Sequence, residues 1–554
     1  MVWRHSGIWL TLICLPPDMV HLILLFGLAV RFYPVFQSRF DQLIFDFGDS
    51  RFNCLIVEWV YQKISHFQFK GIWSPPFFYP TKDVLAYSDN LFGDVLFYAP
   101  WRLIGFDPWL AFQCWIICCF TMSYYSAYFV IKKLGFLELA ALIGAVLFAF
   151  SLPILGQVGH SQLLPLFPVP IIFYCLYRLV ESPEKKKYAA MFFFMETWQF
   201  YCGIYLGFFT ALMAVIFFVS AVKTHRRPFN SFFNLTNIAS FVMLFGIPVG
   251  LLLFPYYRFQ TEVGGRSWNE VVSMLPTIRS YLLPNDGSIY SGILSQSWTV
   301  FPMRYEHWIF IGILPSLFFL LALRWSVMNW KSCEPVFKIS LITSCAMTVI
   351  TFNFWGVSLW WFVYKFIPGF GAIRAVTRYQ CVNVFFIAIV IVCYLRCTGF
   401  FQKRMSLVLI PLFFVDLWGT PPYRMTHDEL IQRIERIKKN VGVNELFIVN
   451  PHWVDNDDPH AVIIDAMWAA MEKGAYTVNG YSGHENEINS MLFFMDQLVC
   501  PRLHQYVQPV LSREHKELSI LYLSPINENA SILNCTEKLY ERDGVIKLRY
   551  KESS

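Results

Sequence analysis

Long apolar runs, separated by short polar segments, fill the chain as far as residue 420. A helix needs roughly 20 apolar residues to cross a bilayer, and on this criterion the pattern predicts about eleven spanning helices. We place them near residues 12–35, 107–131, 137–155, 163–181, 187–201, 203–222, 235–256, 307–325, 335–353, 379–396 and 404–419. The chain is therefore predicted to be a polytopic α-helical membrane protein.

Lysine and arginine residues set the expected orientation of these helices, because short cytoplasmic loops are rich in both. With a cytoplasmic N-terminus, the basic loops all fall on the cytoplasmic side. The opposite, extracytoplasmic side then holds the loop 37–106, the turn 156–162, the loop 257–306, the segment 354–378 and the chain after residue 420. An odd number of spans thus places the C-terminal region on the same side as the first loop.

Within the first outer loop, another apolar pattern predicts a helix that begins near Arg51 and does not span the bilayer. Its apolar positions recur at helical spacing at Phe52, Leu55, Ile56, Trp59, Val60 and Ile64. Because Arg51, Glu58 and Lys63 interrupt the run, we expect this helix to lie on the membrane surface.

Two carboxylates stand just before this helix. Asp46 and Asp49 are separated by a turn that contains Gly48, so both can face one cleft. A carboxylate at an apolar interface holds protons more tightly than usual, which suits a general base that acts on a hydroxyl group. The alternative is structural: Asp49 or Ser50 would cap the helix.

The composition excludes a soluble protein. Of the 554 residues, 56% are hydrophobic, 19% are aromatic and 15% are charged, whereas soluble domains carry about 25% charged residues. The net charge of +6 follows from the basic loops and requires no nucleic acid. Cys500 and Cys535 lie in the polar C-terminal part, where they can pair if that part is outside the cytosol.

The region 421–554 has a different pattern and is predicted to be a small extracytoplasmic α/β domain, following a membrane domain of residues 1–420. Helices are expected at 429–440 and 461–473, and strands at 446–449, 475–479, 518–523 and 545–550.

Further polar residues stand out against apolar surroundings. His160, in a short outer turn, can bind a sugar or a phosphate, or can simply cap two helix ends. Glu196 interrupts an apolar span, where an ionisable residue commonly faces a cavity or a partner, or reaches the interface.

Arg374 and Arg378 are four residues apart, so a helix would place them on one face as a clamp for a phosphate. The alternative is that both side chains reach the membrane interface. Arg258, Arg266 and Arg279 are other candidate phosphate partners, and Glu306 can complete the cavity.

Several short motifs along the chain support a family resemblance. They are Gly48-Asp49 with Asn53 and Trp59, Phe78-Tyr79-Pro80, Leu85 to Asn90 with Gly93, Gly159-His160-Ser161-Gln162, Pro368 to Tyr379, and Val478-Asn479-Gly480-Tyr481-Ser482-Gly483. Together they resemble bacterial multi-pass membrane proteins of the GT-C glycosyltransferase superfamily.

The resemblance implies an enzyme of the bacterial inner membrane that transfers a sugar from a polyprenyl-phosphate donor to a glycan, lipid or protein acceptor on the outer face. It also implies that an acidic residue of the first outer loop is essential, and Asp49 matches that position best. The residues assigned to substrate binding are His160, Arg374, Arg378, Tyr79, Asn90, Glu196 and Glu306.

We expect an inverting transfer in which Asp49 removes the proton of the acceptor hydroxyl. Mg²⁺ or Mn²⁺ is a candidate cofactor with Asp46 and Asp49 as ligands, although GT-C enzymes often carry two adjacent acidic residues and these two are separated. The alternative functions are a lipid or glycan transporter and a non-catalytic membrane scaffold.

Overall fold

A computed structural model describes most of the chain and provides the geometry that follows. The described residues are 18–182, 186–294, 302–402, 408–450, 458–483, 500, 503–504, 511, 517–523, 526, 531–542 and 544–551.

Seven helices in this part of the chain are long and apolar enough to cross a membrane, which identifies an integral membrane protein. They are Pro108–Lys133, Glu138–Gly156, Ser161–Glu181, Ile204–His225, Leu235–Val263, Ile313–Ser332 and Val376–Cys397. At the other four predicted positions the described helices are shorter: Met19–Arg31, Lys187–Cys202, Pro335–Thr351 and Leu409–Asp416. The predicted helical membrane architecture is confirmed, with fewer full-length spans than the eleven expected.

The remaining helices lie in the loops and in the C-terminal domain. They are Tyr33–Gln37, Asp49–Ser65, Val95–Leu103, Trp268–Ser273, Ser291–Leu294, Trp360–Phe366, His427–Lys438 and Pro459–Lys473. The centre of the bundle is formed by the helices that begin at Glu138 and Gln380, whose side chains are almost all buried. By contrast, the span Leu235–Val263 is mostly exposed, as expected for a helix that faces lipid.

The C-terminal domain is built on a mixed five-stranded sheet, as the α/β prediction required. Its strands are β3 (Leu446–Val449), β4 (Tyr476–Thr477), β5 (Leu518–Tyr522), β6 (Thr536–Arg542) and β7 (Val545–Tyr550), in the order β4-β3-β5-β7-β6. β3 pairs in parallel with β4 and β5, whereas β7 is antiparallel to both of its neighbours. Cys500 and Cys535 form the disulfide that the sequence suggested.

The first outer loop and the C-terminal domain are joined through backbone hydrogen bonds. β1 (Gln42–Leu43) pairs antiparallel with β2 (Met425–Thr426). The segment 76–79 adds to the free edge of β4: Thr477 N–H donates to the Pro76 carbonyl over 2.9 Å, and Tyr79 N–H donates to the Thr477 carbonyl over 3.1 Å. The two regions are therefore connected by continuous backbone hydrogen bonding.

Most of the helix Asp49–Ser65 is buried by protein, including two of the charged residues on which the prediction of a surface helix depended. Arg51 has 0% of its surface exposed and Glu58 has 1%. Arg51 pairs with Asp465 of the C-terminal domain, and Glu58 pairs with Arg102 over 2.9 Å. The charged positions that suggested contact with water are instead neutralised by partners distant in sequence.

Candidate functional site

The turn before the Asp49 helix is organised by the Asp46 carboxylate. Its Oδ1 atom accepts hydrogen bonds from Gly48 N–H over 2.9 Å, Ser50 N–H over 3.0 Å and the Ser50 hydroxyl over 2.9 Å. The helix begins at Asp49 with Gly48 as its N-cap residue. The structural alternative, in which Asp49 or Ser50 occupies the N-cap, is therefore wrong, and the Asp49 carboxylate points elsewhere.

Asp49 is held from two sides. The Tyr481 hydroxyl donates to Oδ1 over 2.6 Å, and Nε2 of His160 lies 3.1 Å from Oδ2. Burial favours the protonated carboxyl, but the hydrogen bond and charge of His160 and the hydrogen bond from Tyr481 outweigh it, so the pKa of Asp49 lies well below its usual range. Asp49 is thus ionised at neutral pH, with a third of its side-chain surface open.

The pKa of Asp46 is shifted in the opposite direction from that of Asp49. Burial and the neighbouring negative charge of Asp49 raise the pKa of Asp46 to about 6. Its hydrogen bonds with Ser50 act in the other direction without cancelling this rise.

Two glycines allow the turn to pack this closely. A Cβ atom on Gly159 would lie 2.7 Å from Oδ2 of Asp46, and one on Gly48 would lie 3.0 Å from the Tyr481 hydroxyl. Both glycines belong to the motifs that carry the family resemblance. Their place in those motifs therefore has a steric reason.

A chain of charged groups extends from Asp49 into the membrane domain. His160 Nε2 lies 3.6 Å from Glu306, which accepts two hydrogen bonds from the Arg378 guanidinium, over 2.9 and 2.6 Å. Burial favours a protonated Glu306, but the charges of Arg378 and His160 dominate and lower its pKa to about 2. The Arg378 guanidinium also lies 5.0 Å from the ring of Tyr205.

Two further arginines, Arg374 and Arg266, have a positive charge that is only partly neutralised. Arg374 and Arg266 both contact the same Glu270 oxygen, at 3.0 and 3.2 Å. Arg266 also donates to the Gly483 carbonyl. Burial and the like charge of Arg374 lower the pKa of Arg266. Two guanidiniums with one carboxylate leave net positive charge, as an anion site requires.

These groups meet around one cavity of about 400 Å³. Its polar lining comprises Asp49, Asn53, Asp89, Gln162, Tyr205, Tyr256, Gln260, Arg266, Arg374, Arg378, Tyr481 and Ser482. Its apolar lining includes Ile204, Phe208, Leu253 and Tyr257, which belong to membrane helices. One space thus adjoins two carboxylates, three arginines and an apolar wall.

Asp89, Asn53 and Gln162 provide further polar groups for a ligand in the cavity. Asp89 accepts a hydrogen bond from Ile204 N–H over 2.6 Å at the start of a membrane helix, and burial raises its pKa to about 6. The Asn53 amide donates to Gln162 over 2.7 Å. Carboxylate and amide groups of this kind bind sugar hydroxyls.

The structure separates three residues from this site. Tyr79 packs against Tyr476 with ring centroids 4.9 Å apart, and Asn90 is fully buried and accepts from Phe92 N–H over 3.0 Å. Glu196 accepts from the Thr210 hydroxyl over 2.8 Å inside the helix bundle. All three lie outside the cavity lining, so the fold does not bring them to this cavity.

Arg374 and Arg378 share the cavity for a reason other than the one predicted. Arg374 lies between two short 3-10 helices, Phe370–Ala372 and Val376–Tyr379, and Arg378 lies in the second of them. They are not on one face of a single α-helix. The link between them is Tyr205, whose hydroxyl accepts from Arg374 N–H over 3.2 Å and whose ring faces Arg378.

The acidic turn does not fit a divalent cation. Magnesium and manganese favour several free oxygen ligands, but one oxygen of Asp46 already holds three protein donors. Within the described residues, no group of three or more His, Cys, Asp or Glu side chains is arranged to bind a metal.

Residue-by-residue reasoning did not assign three site residues. Asp89 and Tyr481 stand inside motifs quoted for the family resemblance, and Tyr205 lies in the first turn of the membrane helix that begins at Ile204. Arg266 was an alternative phosphate partner and proves to line the cavity. A tyrosine 432 positions from its carboxylate partner gives no local signal.

Comparison with known proteins finds similarity in structure. No family model and no curated sequence matches the chain. The mycobacterial arabinofuranosyltransferase AftD matches with a TM-score of 0.48 and 14% identity, covering 97% of this chain and 42% of its own. The Archaeoglobus fulgidus oligosaccharyltransferase, solved with zinc and sulfate, matches with a TM-score of 0.47 and 12% identity, covering 90% of this chain and 67% of its own.

ArnT from Cupriavidus metallidurans matches over 96% of both chains, with a TM-score of 0.41 and 9% identity, and has also been solved with undecaprenyl phosphate. All three are glycosyltransferases of the GT-C type. The chain spans less than half the length of AftD. Because these similarities are low, we base the functional proposal on the geometry of the site.

Proposed function

We propose that this protein is a membrane glycosyltransferase that moves a sugar from a polyprenyl-phosphate donor to an acceptor hydroxyl. The observation that supports this most directly is the cavity itself. An ionised carboxylate, Asp49, and the partly neutralised arginines Arg266 and Arg374 line the same space. A base on one side and an anion site on the other match the two ends of a glycosyl transfer.

Asp49 acts on the acceptor. It accepts the proton of the acceptor hydroxyl as that oxygen forms a bond to the anomeric carbon of the donor sugar. His160 and Tyr481 hold the carboxylate in place, so little reorganisation is needed at this step. Attack from the side opposite the leaving group inverts the configuration of the anomeric carbon.

The arginines act on the leaving group. As the bond between the anomeric carbon and the phosphate oxygen breaks, the phosphate takes the electron pair and becomes the polyprenyl phosphate product. Arg374 and Arg266 stabilise that developing charge, since two cations share only Glu270. Arg378 is already paired with Glu306, and it supports the site by holding that carboxylate in place.

The surroundings of the cavity suit a lipid-linked donor. Leu253 and Tyr257, on the exposed span Leu235–Val263, bring part of the lining next to lipid. A polyprenyl chain can remain in the bilayer while its phosphate reaches Arg374. The disulfide Cys500–Cys535 supports an extracytoplasmic position for the C-terminal domain, and therefore for the site.

The test is sugar transfer by the purified protein in lipid vesicles. Undecaprenyl phosphates that carry glucose, mannose, galactose or arabinose are supplied one at a time with a mixture of glycan and lipid acceptors, and free undecaprenyl phosphate is measured. We expect release with at least one donor and a loss of about 100-fold or more in Asp49→Asn, as for removal of a general base.

Glu262→Gln, which changes an exposed residue of the same outer region, is the matched control and should retain full activity. Undiminished transfer by Asp49→Asn would refute the assignment of the base. Movement of an intact donor across the bilayer, with no cleavage of any donor, would favour the transporter.

A further inference from the structure

The C-terminal domain contributes a turn, residues 479–483, to the cavity. Phe78 N–H of the first outer loop donates to the Asn479 carbonyl over 3.0 Å. A Cβ atom on Gly480 would lie 2.4 Å from the ring of Phe78, so the turn and the loop are in close contact. This contact fixes the position from which the next residue, Tyr481, extends.

Tyr481 reaches the predicted base directly. Its hydroxyl donates to Oδ1 of Asp49 over 2.6 Å, and its ring meets Phe52 edge to face with centroids 5.4 Å apart. His460, from the same domain, packs against the other side of the ring at 5.4 Å. The phenol is therefore held by its ring and cannot leave Asp49 without breaking these contacts.

The far end of the same turn contacts the predicted anion site. Arg266 donates to the Gly483 carbonyl, and Gly483 lines the cavity. Five consecutive residues of the C-terminal domain therefore connect the carboxylate side of the cavity with its arginine side. Either group would lose a partner if this domain moved away.

We propose that Tyr481 is a positioning residue for Asp49, and that the C-terminal domain thereby completes the catalytic site. The inference rests on the proposed function, because it assumes that Asp49 is the base. Tyr481 fixes one carboxylate oxygen by hydrogen bonding, His160 fixes the other, and the carboxylate plane is set by the two together.

The pH dependence follows from the groups that surround Asp49. These are Asp46, Asp89, His160, Arg378 and Tyr481, with Glu306 beyond His160. Removing the phenol O–H takes a hydrogen bond from the ionised carboxylate only, so the pKa of Asp49 rises while the other charges stay in place. Protonation of Asp49 then competes with catalysis at a higher pH than in the wild type.

The experiment compares kcat and KM of Tyr481→Phe and the wild type in full-length protein at neutral pH. Phenylalanine keeps the ring contacts and removes only the hydroxyl. We expect kcat to fall roughly 10-fold, the scale of a hydrogen bond to a charged group, with KM for the donor unchanged because the arginine side of the cavity is intact. Tyr540→Phe, which removes a 2.9 Å hydrogen bond to Asn440 elsewhere in the domain, is the matched control.

A second measurement does not depend on turnover. Carbodiimide modifies protonated carboxyl groups, and mass spectrometry of the digested protein reports the modification of Asp49 separately. In Tyr481→Phe, Asp49 should be modified at a higher pH than in the wild type, whereas Tyr540→Phe should match the wild type.

The results separate the two proposals. If Asp49→Asn is inactive but Tyr481→Phe shows unchanged labelling and the wild-type kcat, the positioning role is refuted and the proposed function stands. If Asp49→Asn is active, the assignment of the base fails, and the role of Tyr481 fails with it.

Discussion

Asp46 and Asp49 are three residues apart in one turn, yet their surroundings shift their pKa values in opposite directions. Asp46 lies against the backbone of Gly159, and burial together with the charge of Asp49 raises its pKa to about 6. Asp49 faces the cavity with His160 and Tyr481 on its two oxygens, and its pKa lies well below the usual range. Two carboxylates in the same short segment therefore have different roles.

The difference shows how a folded chain gives two similar groups different surroundings. Asp46 organises the turn through its hydrogen bonds to Gly48 and Ser50. Asp49 keeps a third of its side-chain surface open, which suits the proposed role of a base. The negative charge of each destabilises the ionised form of the other, and the donors around Asp49 decide which of the two remains ionised.

The largest expected effect on transfer activity comes from removing the charge of one of these two carboxylates. Asp49→Asn should lose about 100-fold or more in transfer, because a neutral amide cannot accept the acceptor proton. Asp46→Asn should lose less than about 10-fold, since the amide oxygen can still accept from Gly48 and Ser50. The measurement is kcat for both variants with the same donor, and equal losses would contradict the division of roles.

A smaller effect is expected when the geometry of Asp46 changes but its charge does not. In Gly159→Ala, the new methyl group would lie 2.7 Å from Oδ2 of Asp46 and would force the carboxylate to move. We expect a loss of roughly 10-fold in transfer, because the displaced carboxylate loosens its hydrogen bonds to the turn.

The control for this variant is Gly250→Ala, at a helical position with open space around it. It should behave like the wild type. A Gly159→Ala protein with full activity would show that the turn tolerates movement of Asp46.

The smallest effect concerns stability. The raised pKa of Asp46 means that the folded state holds its proton more tightly than the unfolded state. This contribution to the free energy of unfolding is complete below about pH 4 and is lost as the pH rises through about 6. The wild type should therefore lose stability relative to Asp46→Asn between about pH 4 and 6.

Thermal unfolding in detergent at the two pH values measures this difference. Asp428→Asn, at an exposed residue in the first turn of the helix His427–Lys438, controls for the loss of a charge. A Tm difference between wild type and Asp46→Asn that stays constant with pH would contradict the raised pKa.

Much of the architecture was predictable because it depends on local composition. Apolar runs located the membrane helices, and the polar tail contains strands and helices close to the predicted positions, for example β3 at Leu446–Val449 and the helix Pro459–Lys473. The basic loops also indicated that the first loop, the turn at His160, Glu306, the arginine segment and the tail belong together. The contacts among Asp49, His160, Glu306, Arg378 and Tyr481 bring these five segments to one site.

Predictions failed where a residue's role depended on a distant partner. Arg51 and Glu58 looked like the water-facing side of a surface helix, but Asp465 and Arg102 allow both to be buried. Glu196 looked like a cavity residue, but Thr210 satisfies one of its oxygens inside the bundle. A sequence pattern shows that a charge is present and cannot show which group neutralises it.

By itself, the sequence determined that the chain is a helical membrane protein with a polar α/β domain and a pair of acidic residues next to a helix, because hydrophobicity and helical period act over short stretches. Only the tertiary structure decided that Asp49 faces the cavity, that Arg266 joins Arg374, and that Tyr481 reaches the carboxylate from the far end of the chain. These features depend on distances between side chains that are far apart in sequence, and such distances are set by packing.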